Sequence, residues 1–278
     1  MSHALRVGLH VALVIGLAAC AIGGDGAPRA GAGLGENGQR SSTPSAVEPN
    51  AAINADVRAA AARQDPLSQM AFWAREVEAH PQDVVAHRAL SEALRLAGRN
   101  DRCIQVSRDA LRQFQDDPAL SRSLGLALLS TGRAQDALRP LAIAAGNDGQ
   151  DYRTRSSIGV AFDQLGRSDQ ARMAYQEALA IRPDDPVTLT NLGVSYLLTG
   201  DAEQAEQVLR QASALPNAPA EARQNLAIAL GLLGRVEEAE QLARVDLPPA
   251  MAAANAAYLR GLFQDERRWG DLRESLQN

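Results

Sequence analysis

The chain has 278 residues with 28 basic and 33 acidic side chains, a net charge of −5, and the basic residues are all arginines, scattered along the chain as single charges apart from Arg267-Arg268. No basic stripe is available to displace counterions, which argues against nucleic-acid binding. With 46% hydrophobic but only 4% aromatic residues, and Ala and Gly abundant, composition favours close helix packing in an all-helical fold over a large aromatic core.

Residues 1–19 read as a signal peptide, with Arg6 in a short n-region, an apolar stretch from Val7 to Leu17, and then Leu17-Ala18-Ala19-Cys20. The stretch is too short to span a bilayer stably. Small residues before a cysteine suit a lipoprotein signal peptidase, which would leave an acylated Cys20 as the mature N-terminus. The competing reading is an ordinary secretory signal with an incidental cysteine, and the lone Arg6 and the polar His10 are the weak points of the first. Ala21 in place of an Asp after the cysteine points to the outer membrane. Residues 20–50 are mostly Gly, Ala, Pro and Ser; they cannot bury enough apolar surface to offset ordering and are expected to be a disordered tether. Its root-mean-square reach is roughly 30 Å.

Beyond it, Gly98, Gly132, Gly166, Gly200 and Gly234 recur 34 residues apart, the period of tetratricopeptide (TPR) helical hairpins. Around them the same chemistry returns, most fully in Ile158-Gly159, Phe162, Gly166, Ala171, Tyr175, Ala178 and Pro183. Gly166 suits the left-handed backbone that ends a first helix, Gly159 and Ala171 allow close approach of the two helices, and Pro183 blocks continuation of the second. Asp117-Pro118 and Asp185-Pro186 read as an N-cap followed by a favoured first-turn proline. The spacing predicts an all-α, right-handed superhelical TPR solenoid over 51–278, with five full repeats at about 84–253. A degenerate leading half-repeat is expected at 51–83, with a first helix from Ala51 to Ala62 and with Trp73 and Pro81 where a second helix and its stop should lie. Capping helices are expected at 254–278, including a shorter one with Trp269 and Leu272; such arrays need caps because each unit buries its face only against neighbours.

Catalytic chemistry is not visible. His80 and His87 straddle Pro81 with no ligand set around them, so they read as surface or packing residues, and no metal or cofactor is expected. Cys103 occupies a slot filled elsewhere by Ala137, Ala171, Ala205 and Ala239, which marks it as a packing thiol. The glycine motifs lie between helices, whereas a phosphate loop would follow a strand. An enzyme is therefore not expected.

The first helix of each hairpin is expected to line the concave surface of such an array. In the fourth repeat Thr190, Val194, Leu197 and Leu198 form a stripe beyond the one needed for hairpin packing. Leu126, Leu129, Val160, Ile228 and Leu232 occupy matching positions, bordered by Arg88, Arg122, Asp163 and Gln224. The expectation is an apolar groove with a polar rim, suited to an amphipathic helix or apolar peptide tail of a protein partner. The alternative is that superhelix curvature or the C-terminal cap buries these residues internally.

Arg223-Gln224-Asn225-Leu226-Ala227, then Gly231 to Gly234, Leu247-Pro248-Pro249 and Asn255-Ala256-Ala257-Tyr258-Leu259-Arg260 resemble the TadD family of Flp/Tad pilus assembly lipoproteins. The likeness covers about Asp151 to Phe263; from Ala51 to Asp117 only the repeat pattern is shared. It implies an outer-membrane TPR lipoprotein facing the periplasm, a pilotin that helps the pilus secretin reach or assemble in that membrane, with the secretin or a neighbouring Tad assembly protein as partner. No catalytic residues exist to carry over. Another envelope TPR lipoprotein, a chaperone or regulator of a cell-wall enzyme, is the alternative.

Overall fold

A computed structural model describes residues 49–264. The expected signal peptide, Cys20 and nearly all of the tether lie outside the described residues, as do Trp269 and Leu272. Thirteen helices are described: α1 (Pro49–Ala61), α2 (Pro66–Ala79), α3 (Val84–Leu96), α4 (Asn100–Gln113), α5 (Pro118–Ser130), α6 (Ala134–Asn147), α7 (Tyr152–Gln164), α8 (Ser168–Ile181), α9 (Pro186–Leu198), α10 (Ala202–Ala214), α11 (Ala220–Leu232), α12 (Val236–Ala243) and α13 (Pro249–Gln264). Each packs on the next, giving an all-helical array of consecutive hairpins.

The spacing of the glycines is the spacing of everything else. The first helices α3, α5, α7, α9 and α11 start 34 residues apart and are each 13 residues long. They begin where an aspartate can satisfy orphan N–H groups. Asp83, Asp117, Asp151 and Asp185 accept from backbone N–H groups two or three residues on, and only the fifth first helix, capped by Pro219, lacks the side-chain bond. They end at glycine. At Gly166 φ is +70°, its N–H donates to the Asp163 carbonyl at 2.9 Å, and the Arg167 N–H donates to the Phe162 carbonyl at 2.9 Å. This double closure needs a left-handed residue, and the other four turn glycines share the conformation.

Within a hairpin, a residue with no side chain faces a large one sixteen places on. A Cβ added to Gly125 would lie 2.6 Å from Leu141 Cγ, and one on Gly159 would lie 2.5 Å from the Tyr175 ring; Gly193 stands in the same relation to Leu209. The large partners are fully buried. The two helices therefore interlock as hole and knob, so the pairing register is fixed by shape as well as by hydrophobicity.

Both ends differ from the central repeats. The leading unit, expected as a degenerate half-repeat, comprises the two helices α1 and α2, and α2 begins 34 residues before α4. A Gln64 stands where the turn glycine would be, which is why the repeat pattern is hard to see there. Arg58 joins the unit to the rest, with Glu76 at 2.5 Å and Asp83 at 2.6 Å, and its guanidinium lies 5.8 Å from the centre of the Trp73 ring. At the other end α12 has only 8 residues against 14 in α8, so the fifth hairpin closes at Ala243 and not near 253. Pro248-Pro249 prevents a longer helix and starts α13, whose Leu259 fills the space left open by Gly231.

Candidate functional site

Successive first helices pack directly on one another, α3 on α5, α5 on α7, α7 on α9 and α9 on α11. No packing of comparable extent joins successive second helices among the described residues. The row whose members touch is the inner row, because curvature brings inner elements together and spreads outer ones. Small residues make the approach possible: Ala93, Ala127, Ala161 and Ala229 are all fully buried on this row.

That packing corrects much of the expected groove. Leu129, Val160, Asp163, Thr190, Val194 and Leu197 are buried, between 0% and 7% exposed, and present little side-chain surface to a partner. Val160 sits in a cluster with Tyr175 and Leu192, Leu197 in one with Leu226 and Leu230, and the Thr190 hydroxyl donates to the Pro186 carbonyl at 2.6 Å. Contact between neighbouring first helices is the cause; α13 packs on α11 and α12 and is not what covers them. Leu126, Leu198, Ile228 and Leu232 remain half-buried, as do Arg88, Arg122 and Gln224.

What is left is graded along the array. Matching positions read Glu92, Leu126, Val160, Val194 and Ile228, and one turn earlier Arg88, Arg122, Ser156, Thr190 and Gln224. The N-terminal third is therefore ionic. Arg88 Nε donates to Asp117 at 2.9 Å, tying the first repeat to the cap of the second. Buried Arg95 donates to Glu92 at 2.9 and 2.6 Å, and Ser123 Oγ reaches the same carboxylate at 3.4 Å. Burial pushes the Glu92 carboxyl up, but its bonds and charge attraction to Arg95, the charge of Arg122 and the Ser123 hydroxyl together outweigh this and hold it below the usual range. The C-terminal third is apolar, with Leu198, Ile228 and Leu232 half-buried. A depression of about 580 Å³ lined by Arg58, His80, Pro81 and Asp83 lies elsewhere, at the loop between α2 and α3, and holds none of the groove residues.

Asp163, expected on the polar rim, is the centre of a buried cluster. Tyr175 Oη donates to Asp163 Oδ2 at 3.0 Å and Ser195 Oγ donates to Oδ1 at 2.8 Å. Sequence reasoning assigns neither donor to such a cluster, although both break the repeat: position 195 is Ala in the other four units, and position 175 is Leu in the units on either side. Aligning the five repeats and marking the polar exceptions would have found them.

The remaining chemical side chains are structural. Cys103 is buried, its Sγ lies 3.2 Å from the Ser91 carbonyl, and burial pushes the thiol up to about 11, so it is a packing residue and a poor nucleophile. His87 bonds the Pro81 carbonyl at 3.0 Å and packs on Phe114, with ring centres 5.3 Å apart. Among the described residues no three His, Cys, Asp or Glu side chains cluster as metal ligands would, and no helix is long and apolar enough to cross a membrane.

Family models described as tetratricopeptide repeat match residues 97–152, 122–186, 164–219 and 220–244, an unbroken run from 97 to 244 that coincides with the hairpins from α4 to α12. The chain is a tetratricopeptide repeat protein. TPR arrays are protein–protein interaction scaffolds whose stacked units offer an extended inner surface. Among solved structures, TTC0263, a thermophilic TPR protein from Thermus thermophilus, is similar at 22% identity with a TM-score of 0.52, over 62% of this chain and 96% of that one. MamA residues 41-end from Desulfovibrio magneticus RS-1 is similar at 18% identity with a TM-score of 0.54, over 60% and 96%. At these identities the likeness concerns the fold. No curated protein matches the chain.

Proposed function

We propose that this TPR protein is a non-catalytic scaffold of Flp/Tad pilus assembly, anchored through acylated Cys20 at the periplasmic face of the outer membrane. It acts as a pilotin, holding a segment of the pilus secretin or of a neighbouring Tad assembly protein against its inner row. The observation that carries the reading is that the residues resembling the TadD family, beyond the repeat pattern, build one structural junction. Arg223 donates to both oxygens of Asp246 at 2.9 and 2.6 Å, Gly231 admits Leu259, Leu247-Pro248-Pro249 turns the chain, and Arg260 bonds Glu240 at 3.0 Å. The residues that carry the resemblance thus lie together where the array closes at its C-terminal end. The anchor fixes location, the tether permits search, and the ionic-to-apolar gradient of the inner row suits a segment with one polar and one apolar end.

Deletion of the gene is expected to abolish surface pili and to leave the secretin outside the outer membrane, as scored by electron microscopy and membrane fractionation. Cys20→Ser is expected to lose acyl label and reproduce the defect. Piliated deletion cells with a normally placed secretin would assign the protein to another envelope process, and acyl label retained by Cys20→Ser would remove the anchor.

A further inference from the structure

Three residues that break the repeat meet at one point. Where the adjacent units carry Leu129 and Leu197, the third carries Asp163; where they carry Leu141 and Leu209, it carries Tyr175; and where the other four units carry alanine, the fourth carries Ser195. These exceptions lie on α7, α8 and α9, and their side chains bond only because the array brings them together, Tyr175 Oη at 3.0 Å and Ser195 Oγ at 2.8 Å from the two Asp163 oxygens. Leucine, leucine and alanine would fill the same space without any polar group. A buried polar triad is costlier than its apolar equivalent.

We propose that the Asp163–Tyr175–Ser195 junction is a proton-operated joint: uptake of one proton by Asp163 tightens the seam between the third and fourth hairpins, and its release loosens that seam. The carboxylate is 7% exposed, and the partners that bond it directly are hydroxyls. The groups that act on it come from α8 and α9: the Ser195, Tyr175 and Ser168 hydroxyls, and the charge of Arg172, which itself bonds Asp169 and Thr199. Helices α5 and α6, also packed on α7, contribute none of them. Burial pushes Asp163 up to about 6, against the lowering effect of those hydroxyls and of Arg172. The unfolded value is about 3.9. Between the two values the folded state holds the extra proton, so stability rises as pH falls from about 7 toward 4, and the contribution is lost as pH rises through 6. Above that point a charge sits in the seam, and hydrating it requires α7 and α9 to part. Asp83, Glu92, Glu206, Glu238 and Glu240, all shifted downward, respond in the opposite sense, so the comparison must be made against a variant and not against pH alone.

The test uses the full chain, Asp163→Asn, and a triple variant that restores the neighbours' residues, Asp163→Leu with Tyr175→Leu and Ser195→Ala. Carbon-13 carboxyl NMR on aspartate-labelled protein is expected to show one resonance titrating near pH 6, missing from Asp163→Asn. Between pH 7.5 and pH 5 the folding equilibrium constant of the natural protein is expected to rise roughly tenfold relative to either variant. Amide exchange in α9, corrected for intrinsic rates, is expected to slow over the same window in the natural protein alone. An Asp163 resonance that titrates below pH 4.5, pH profiles shared by natural protein and triple variant, or exchange in α9 unchanged across the window would each overturn the joint. If Asp163→Asn fails to fold, the triple variant still decides.

Discussion

Leu209→Ala is expected to cost about 3–4 kcal/mol, measured by denaturant unfolding and seen first as faster amide exchange in α9 and α10. Leu209 is fully buried, and the residue it meets on α9 is Gly193, whose missing side chain is the hole the leucine fills. Truncating the knob leaves a cavity with nothing opposite able to expand into it, so the cost stays above the low end of the range for buried leucines. The neighbours cannot close it, because Gly193 sits within α9, which is clamped between α7 and α11. A cost below about 1 kcal/mol would show that the two helices are not interlocked in the way described.

The opposite substitution tests the same kind of contact from the other side. Alanine is a better helix former than glycine by about 1 kcal/mol, so Gly159→Ala in the middle of α7 would be stabilising if only local propensity mattered. A Cβ there would lie 2.5, 2.7 and 2.8 Å from three atoms of the Tyr175 ring, a rigid group that is 1% exposed and held at its hydroxyl by Asp163. It cannot swing aside. Overpacking is expected to win, giving a net loss of about 2 kcal/mol. In a Tyr175→Ala background the clash is gone and the sign should reverse, with Gly159→Ala stabilising by about 1 kcal/mol. The same loss in both backgrounds would place the cost in the helix and not in the pair.

Much of this architecture can be read from five glycines. Their 34-residue step sets the starts of α3 to α12, and Asp117-Pro118 with Asp185-Pro186 marks two of the helix caps. Asp83 and Asp151 lie in the same register and do the same work, yet without a following proline they do not stand out. The inner row is harder to read. Helical periodicity identifies Val160, Val194 and Leu197 as a second apolar stripe, but period alone does not say whether a stripe faces a partner or the next repeat. That depends on how closely first helices approach, which the buried alanines at positions 93, 127, 161 and 229 decide. About half of the expected groove is therefore taken up by the array's own packing. The ends are obscured for a different reason. Gln64 replaces the turn glycine in the leading hairpin, and Pro248-Pro249 cuts the last one short, so in both places the 34-residue signal fades while the helices persist.

As proposed, this TPR array works by contact along its inner row. Photo-crosslinking amino acids placed at Leu198 and Ile228 on that row, and at Met173 and Gln207 on exposed faces of the outer row, test it in intact envelopes. One and the same protein adduct is expected from Leu198 and Ile228, and none from Met173 or Gln207. No adduct from the inner positions, or equal yields from both rows, would contradict it.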